Sequence, residues 1–281
     1  MEKKKYILTI SCLDTIGIVA AVTNLLAKKN CFVFSSDQFS DLTTRHFFMR
    51  IVFDSHEIEE IKKTLTQLNE VYNWQLHIQD MDYKPKVVIL VSTQSHCLSD
   101  ILNKKLENRL QIEIPAIISN HNKLREMASW HEIPFYHLPV NAENKQDQES
   151  KILEIIKKSK ADLVVLAKYM QILSEDLCKA LEGKAINIHH SFLPSFKGGK
   201  PYHQAHERGV KLIGATGHFV TSQLDEGPII CQEVIPVNHR YTVEDYVRYG
   251  ADVESLVLSR CIKYFIDKRI LLNGNKTIVF R

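Results

Sequence analysis

Apolar residues recur at helical spacing in some stretches of the chain and run alternately or continuously in others, and the change from one pattern to the other divides it. Lys5–Cys12 reads as a strand. Ile18, Val19, Val22, Leu25 and Leu26 then repeat at three and four over Ile16–Lys28, with Asp14 placed to open the helix. Cys31–Asp41 and His46–Phe53 predict two strands joined by a polar turn. Ile58, Ile61, Leu65 and Leu68 mark a helix over Glu57–Asn69, and Trp74–Ile78 is a last strand. The order βαββαβ predicts a small ferredoxin-like sandwich with its helices on one face of an antiparallel sheet.

Asp80–Lys86, a short polar joint containing Pro85, separates this unit from the rest, giving expected domains 1–82 and 83–281. Beyond it the pattern changes. Val87–Val91 and Leu163–Ala167 are continuous apolar runs, Ile112–Ile118 is a further strand, and helices over Cys97–Glu107, Lys123–His131 and Glu149–Lys158 lie between them. Such runs alternating with amphipathic helices predict a doubly wound α/β domain with a mostly parallel sheet, although the tail becomes mixed. In such sheets ligands bind beyond the carboxyl ends of the strands.

Composition narrows the class without naming a chemistry. The 281 residues suit two domains, and 44% hydrophobic with 25% charged residues is ordinary for a globular chain. No apolar run approaches the roughly 20 residues that span a bilayer, and the basic start has no cleavage site after it, so a cytoplasmic protein without membrane association is expected. The net charge of +3 is spread over lysine pairs of the kind found on solvated helix faces, so no nucleic-acid partner is expected. The six cysteines show no CxxC or zinc-ligand spacing and read as reduced thiols.

There is no GxxxxGK[ST], GxGxxG or GxSxG, which removes the main support for kinase, dehydrogenase and serine-hydrolase readings. The apolar strand AINI, followed by HHSFLPSFKGGKPYHQA, is the richest segment. Asn187, His189 and Ser191 alternate onto one face, with His190 on the other. A second polar loop, TSQLDEGPII, sets Asp225 just before Gly227-Pro228. Together Asn187, His189 and Asp225 offer an oxyanion donor, a proton carrier and a carboxylate to fix its tautomer. Each alone is also what a structural turn would use. His189, His190, His203, His206 and His218 could instead gather around zinc, but their spacing fits no closed site, and no metal is expected.

NIHHSFLPSFKGGKPYHQA, LAKYMQILS at residues 166–174 and GATGHFVTSQLDEGPII at residues 214–230 together resemble the folate-dependent formyltransferase family. The N-terminal DTIGIVAAVTNLLAKKN, QFSD and FFMR resemble an ACT regulatory domain. The resemblance covers nearly the whole chain and makes Asn187, His189 and Asp225 the catalytic set. It implies a folate pocket lined by Met170, Gln171, Ile172 and Leu173 and by Thr221, Ser222, Gln223 and Leu224. Plain core packing is the competing account of Met170, Ile172 and Leu173. The family's glycinamide ribonucleotide transferases carry a glycine-rich phosphate loop after the first strand of the catalytic domain. Here that position reads VSTQSHCLSD, residues 91–100, without glycine. The family's methionyl-tRNA formyltransferases carry a tRNA-binding domain after the catalytic one, and none is expected here after Val257–Ile266 and a final short strand around Thr277–Phe280.

The resemblance therefore implies water as the nucleophile: hydrolysis of 10-formyltetrahydrofolate, as substrate rather than cofactor, to tetrahydrofolate and formate, feeding purine synthesis and balancing the one-carbon pool. Transfer to an unidentified amine is the alternative. Gly217 and Phe219 replace commoner Ala and Tyr and are expected to alter packing near the site. The ACT resemblance implies a homo-oligomer, dimer or tetramer, with a regulatory amino acid such as glycine or methionine at Asp14, Gly17 and Asn30.

Overall fold

The computed structural model describes residues 3–195 and 201–281; Gly198, Gly199 and Lys200 of the segment that follows the AINI strand lie outside them. The chain divides into two compact units, one running up to Tyr83 together with Asp267–Arg281, the other Lys84–Ile266.

In the first unit the elements run β1 (Lys4–Leu13), α1 (Ile18–Lys28), β2 (Val33–Asp41), β3 (His46–Ser55), α2 (Ile58–Tyr72) and β4 (Gln75–Asp80). The strands form an antiparallel sheet in the order β2-β3-β1-β4. Leu8 and Ile10 of β1 and Met49, Ile51 and Phe53 of β3 turn one sheet face onto Ile18, Val22 and Leu26 of α1 and Ile61 and Leu65 of α2. Helix α1 starts at Ile18, not near Asp14, because Gly17 adopts φ +98° at its entrance. The Asp14 N–H is already committed to the Arg45 carbonyl, at 2.8 Å.

The tail departs from the expected domain division. Residues 267–281, assigned to the second domain from the sequence, carry the hairpin of β12 (Ile270–Asn273) and β13 (Lys276–Val279) and fall in the first unit. Two polar ties hold them there. Asn273 Nδ2 donates to Asp41 Oδ2 at 2.6 Å, and the buried Arg50 donates from Nε to the Asp267 carbonyl at 3.1 Å.

The second unit contains β5 (Lys86–Val91), α3 (His96–Leu106), β6 (Glu113–Ser119), α4 (Arg125–Trp130), β7 (Phe135–His137), α5 (Lys145–Lys158), β8 (Leu163–Leu166), α6 (Glu175–Ala180), β9 (Ala185–His189), α7 (Pro201–Glu207), β10 (Leu212–Phe219), β11 (Ile229–Pro236) and α8 (Val243–Ile266). Its sheet has the order β11-β10-β9-β8-β5-β6-β7. β5 through β9 are parallel, and β10 and β11 turn antiparallel at one edge. From β5 the chain winds outward through β6 and β7, then returns to β8 on the other side of β5. Above that reversal a doubly wound sheet opens a crevice. No helix among the described residues is long and apolar enough to cross a membrane, and all six cysteines are free thiols.

Gly217 has a structural reason. A Cβ there would stand 2.3 Å from the Cys261 sulfur of α8, so the bare glycine and the buried thiol fill one space between them. Overpacking of this kind costs about 1–3 kcal/mol. Gly217→Ala is expected to lower the unfolding free energy, read by urea titration, by that amount, and adding Cys261→Ala should restore a good part of it; strictly additive losses would show that the two do not share the space.

Candidate active site

Three segments meet at the carboxyl end of the sheet. The first is the end of β9. Its pairing with β10 sets Asn187 opposite His218 and His189 opposite Thr216. Cross-strand neighbours lie within side-chain reach, and Asn187 Nδ2 and His218 Nε2 are 3.2 Å apart. A bulge between Gly217 and His218 breaks the ladder from β10 to β11 and re-aims the chain just where the imidazole is needed. His218 Nδ1 lies 2.8 Å from the Phe219 carbonyl and donates to it, since a carbonyl only accepts. When the ring is neutral, that leaves its Nε2 lone pair to accept from the Asn187 amide; when it is protonated, Nε2–H faces the Asp225 carboxylate instead.

The second segment is the excursion between β10 and β11. Phe219 N–H to the Pro228 carbonyl, 2.9 Å, closes its base. Gly227 permits that closure, because a Cβ would fall 1.7 Å from the Phe219 carbonyl oxygen. Asp225, with φ +57°, is carried inward. One carboxylate oxygen lies 3.2 Å from His189 Nδ1 and the other 3.7 Å from His218 Nε2. Burial raises the Asp225 pKa, but the hydrogen bonds and charges of His189 and His218 outweigh it and hold the carboxyl well below its usual range. It is therefore ionised throughout the neutral range. With Nδ1 facing that carboxylate, His189 presents Nε2, a buried atom with no hydrogen-bond partner.

The third segment is the loop after β8. Its start is fixed by Ser92, whose hydroxyl donates to Asn120 Oδ1 at 2.6 Å and accepts the Met170 N–H at 2.9 Å. Its end is fixed by Glu149, which accepts the Ser174 N–H at 2.9 Å, and by the Ser174 side chain capping α6. Between these anchors Met170 and Ile172 are 58% and 62% exposed, so core packing does not explain them, whereas Leu173 is half-buried and packs against the core as well as lining the cavity.

Met170, Gln171, Ile172, Leu173, Thr221, Ser222, Gln223 and Leu224 all line one cavity of about 380 Å³ together with Asn187, His189, His218 and Asp225. The structure thus brings the expected catalytic and folate residues together. His190 also lines this cavity, contrary to its expected place on the opposite face, because the strand ends at His189 and alternation stops with it. Burial and the nearby Lys168 ammonium push His190 down to about 4, so it is neutral at physiological pH. Ser191 leaves the site, its hydroxyl spent on the Ser195 carbonyl at 2.7 Å.

His218 entered the sequence reading only among zinc candidates, and its cross-strand place opposite Asn187 is the signal that was missed. Two further groups had no signal at all. Lys168 and Glu254, 86 positions apart, form an ion pair of 3.1 Å with side chains 4% and 2% exposed. Glu254 also accepts from Tyr202 at 2.7 Å and meets His96 Nε2 at 2.7 Å. His96, Cys97 and Glu254 place possible metal-donor atoms within 4.8 Å of one another. The carboxylate is already engaged, however, and burial pushes the Cys97 thiol far up, away from the thiolate a metal needs.

In the first unit, Asp14 and Gly17 line a separate cavity of about 560 Å³ with Gln38, Phe39 and Ser40. Asn30 does not join them. It lies beyond the other end of α1, an eleven-residue helix about 17 Å long, and its carbonyl accepts from Lys3 at 2.7 Å.

Residues 85–262 match the family described as formyl transferase, and residues 6–70 match the ACT domain. Fold and site together define a formyl-transfer catalytic unit joined to an ACT domain. The formyltetrahydrofolate deformylase of Corynebacterium sp. (strain P-1) is 43% identical over 286 residues, covering 100% of this chain and 99% of its own. The crystal structure of formyltetrahydrofolate deformylase from Burkholderia mallei matches with a TM-score of 0.95 and 45% identity, over 99% of this chain and 100% of that one. Glycinamide ribonucleotide transformylase 1 from Symbiobacterium toebii shares the fold over 74% of this chain and 98% of its own, with a TM-score of 0.67 and 29% identity. The chain belongs to the formyltetrahydrofolate deformylase family.

Proposed function

We propose that this chain hydrolyses 10-formyltetrahydrofolate to tetrahydrofolate and formate, with Asn187, His189 and Asp225 as its catalytic residues and no cofactor. The observation that carries the residue assignment is the Asp225 carboxylate set between two histidines, with His189 among the residues lining the cavity and its Nε2 left without a partner. Water is deprotonated by His189 as its oxygen bonds to the formyl carbon. The Asn187 amide, steadied by His218, donates to the carbonyl oxygen as it becomes negative. The imidazolium formed on His189 is stabilised by Asp225 and gives its proton to N10 as the C–N10 bond breaks. The exposed apolar side chains of Met170, Ile172 and Leu224 suit the faces of a flat ring, and the loop backbones suit its hydrogen-bonding edge. The test is formate release from 10-formyltetrahydrofolate with no acceptor amine present. Stoichiometric formate and tetrahydrofolate are expected; tight folate binding without release would overturn the reading.

The ACT unit is read as a sensor of an amino acid, glycine or methionine, in a cytoplasmic homo-oligomer. Its cavity sits at the start of α1, where backbone N–H groups favour a carboxylate and Asp14 suits an ammonium. The edge strand β2 carries exposed Phe34 and Phe39, with exposed Ile16 and Leu42 nearby, an apolar border suited to a second copy. Millimolar glycine or methionine is expected to change the rate of the full-length enzyme, and Asp14→Ala to abolish that response. A rate indifferent to both amino acids would remove the sensor.

A further inference from the structure

Lys168 combines three properties that packing alone does not explain. It adopts φ +63°, a region in which any residue but glycine is strained. It is 5% exposed, a costly place for an ammonium. Alone among the described residues, it lines both the 380 Å³ cavity that holds the catalytic groups and a second cavity of about 400 Å³ beside it. The second cavity is walled by Thr93, Gln94, His96, Tyr202, His203 and Glu254, among others. Glu254 is the one carboxylate among its described residues, and it is fully engaged by Lys168, His96 and Tyr202.

We propose that Lys168 determines the nucleophile: its side chain fills the passage between the two cavities and occupies the carboxylate at which an acceptor amine would otherwise dock. This rests on the hydrolytic reading above. An acceptor larger than water needs room beside the formyl group as well as the room taken by the folate. The second cavity offers that room, and its wall facing the catalytic groups includes the lysine. The Glu254 carboxylate, the natural partner for an incoming ammonium, already holds the protein's own. Water, being small and neutral, needs neither the passage nor the carboxylate.

Once the passage is open, transfer balances without any further reagent. The free-base amine nitrogen bonds to the formyl carbon, the C–N10 bond breaks, and the proton lost from the attacking nitrogen ends on N10. The products are an N-formyl amine and tetrahydrofolate.

The test uses the full-length enzyme and 10-formyltetrahydrofolate carrying ¹³C in the formyl group, with glycinamide as the probe amine at neutral pH. The ratio of N-formylglycinamide to formate is read by mass spectrometry. Lys168→Gly suits the left-handed backbone and opens the passage; Lys168→Met loses the charge but keeps the bulk. Wild type and Lys168→Met are expected to yield formate, and Lys168→Gly to raise the amide-to-formate ratio roughly 10–100-fold, the range in which a filled or emptied pocket discriminates. A ratio in Lys168→Gly no higher than in the wild type overturns the proposal, and a rise of the same size in Lys168→Met overturns the role of bulk. If Lys168→Gly does not fold because the Glu254 carboxylate has lost its partner, Lys168→Gly/Glu254→Gln opens the passage without that charge and without the docking carboxylate; there a ratio above the wild type's supports the role of bulk, and one no higher overturns it. Failure of the wild type itself to release formate would instead sink the hydrolytic reading, so the two failures are distinguishable. A merely structural lysine would change the total rate or the stability and leave the product ratio where it was.

Discussion

Asp225→Asn is expected to reduce formate release by about 10³–10⁴-fold while folate binding changes only a few-fold. The side chain is nearly isosteric, so the excursion between β10 and β11 and the cavity wall it forms are retained. What changes is the hydrogen-bond pattern. The carboxylate faces His189 Nδ1 with one oxygen and His218 Nε2 with the other. An amide has a single acceptor oxygen, so one histidine meets an N–H in its place. If the amide nitrogen turns toward His189, the ring is driven to the other tautomer and loses its lone pair at Nε2. If it turns toward His218, it competes with Asn187 for the same nitrogen. In both cases the imidazolium formed during attack has lost its counter-charge. Single-turnover formate release set beside folate titration checks this; equal loss of both would mean that Asp225 is structural. Because its neighbours hold the carboxyl well below the usual range, titration of Asp225 does not shape the rate profile near neutrality.

Glu254→Gln is expected to cost about 3 kcal/mol of stability, among the largest single effects outside catalysis. Burial pushes the Glu254 carboxyl up, yet His96, Lys168 and Tyr202 more than compensate and bring it down to about 2 from an ordinary 4.5. A carboxyl whose folded value is depressed contributes stability that is complete above its unfolded value and is lost as the pH falls through the folded one. The contribution of this group is therefore present above about pH 4.5 and disappears toward pH 2, a span worth about 3 kcal/mol. Urea unfolding of wild type and variant at pH 7 and pH 3 measures it. The difference should shrink at the lower pH. A gap that persists unchanged would assign the loss to packing. Removing both partners, as Lys168→Met/Glu254→Gln, should recover part of the loss, since no uncompensated ammonium is left buried.

What the sequence disclosed and what it hid follow from the range of the interactions. Asn187 and His189 were legible because alternation along a strand fixes faces locally, and Asp225 because a polar loop ending in Gly-Pro marks a turn. The folate loop was legible only as a stretch with two meanings, core or cavity, and the exposure of Met170 and Ile172 chose between them. His218 was ambiguous because a one-residue bulge decides where it points, and bulges leave little trace in periodicity. The Lys168–Glu254 pair joins the end of one strand to the middle of a distant helix, which no local pattern encodes. Asn30 was grouped with Asp14 and Gly17 through resemblance, and an intervening helix separates them.

The placement of the tail has a topological consequence. Because residues 267–281 complete the first unit, the catalytic unit is an insertion within it, leaving at Tyr83 and rejoining at Asp267. The first unit therefore cannot finish assembling until residues 267–281 have been synthesised, and it must then close a long loop whose entropic cost grows only slowly with length. If the inserted unit folds while the ribosome is still completing the chain, both ends of that loop are already anchored on a folded body and much of the closure cost has been met. The order of synthesis would then place the catalytic unit first and the ACT unit second, although most of the ACT unit's sequence emerges first.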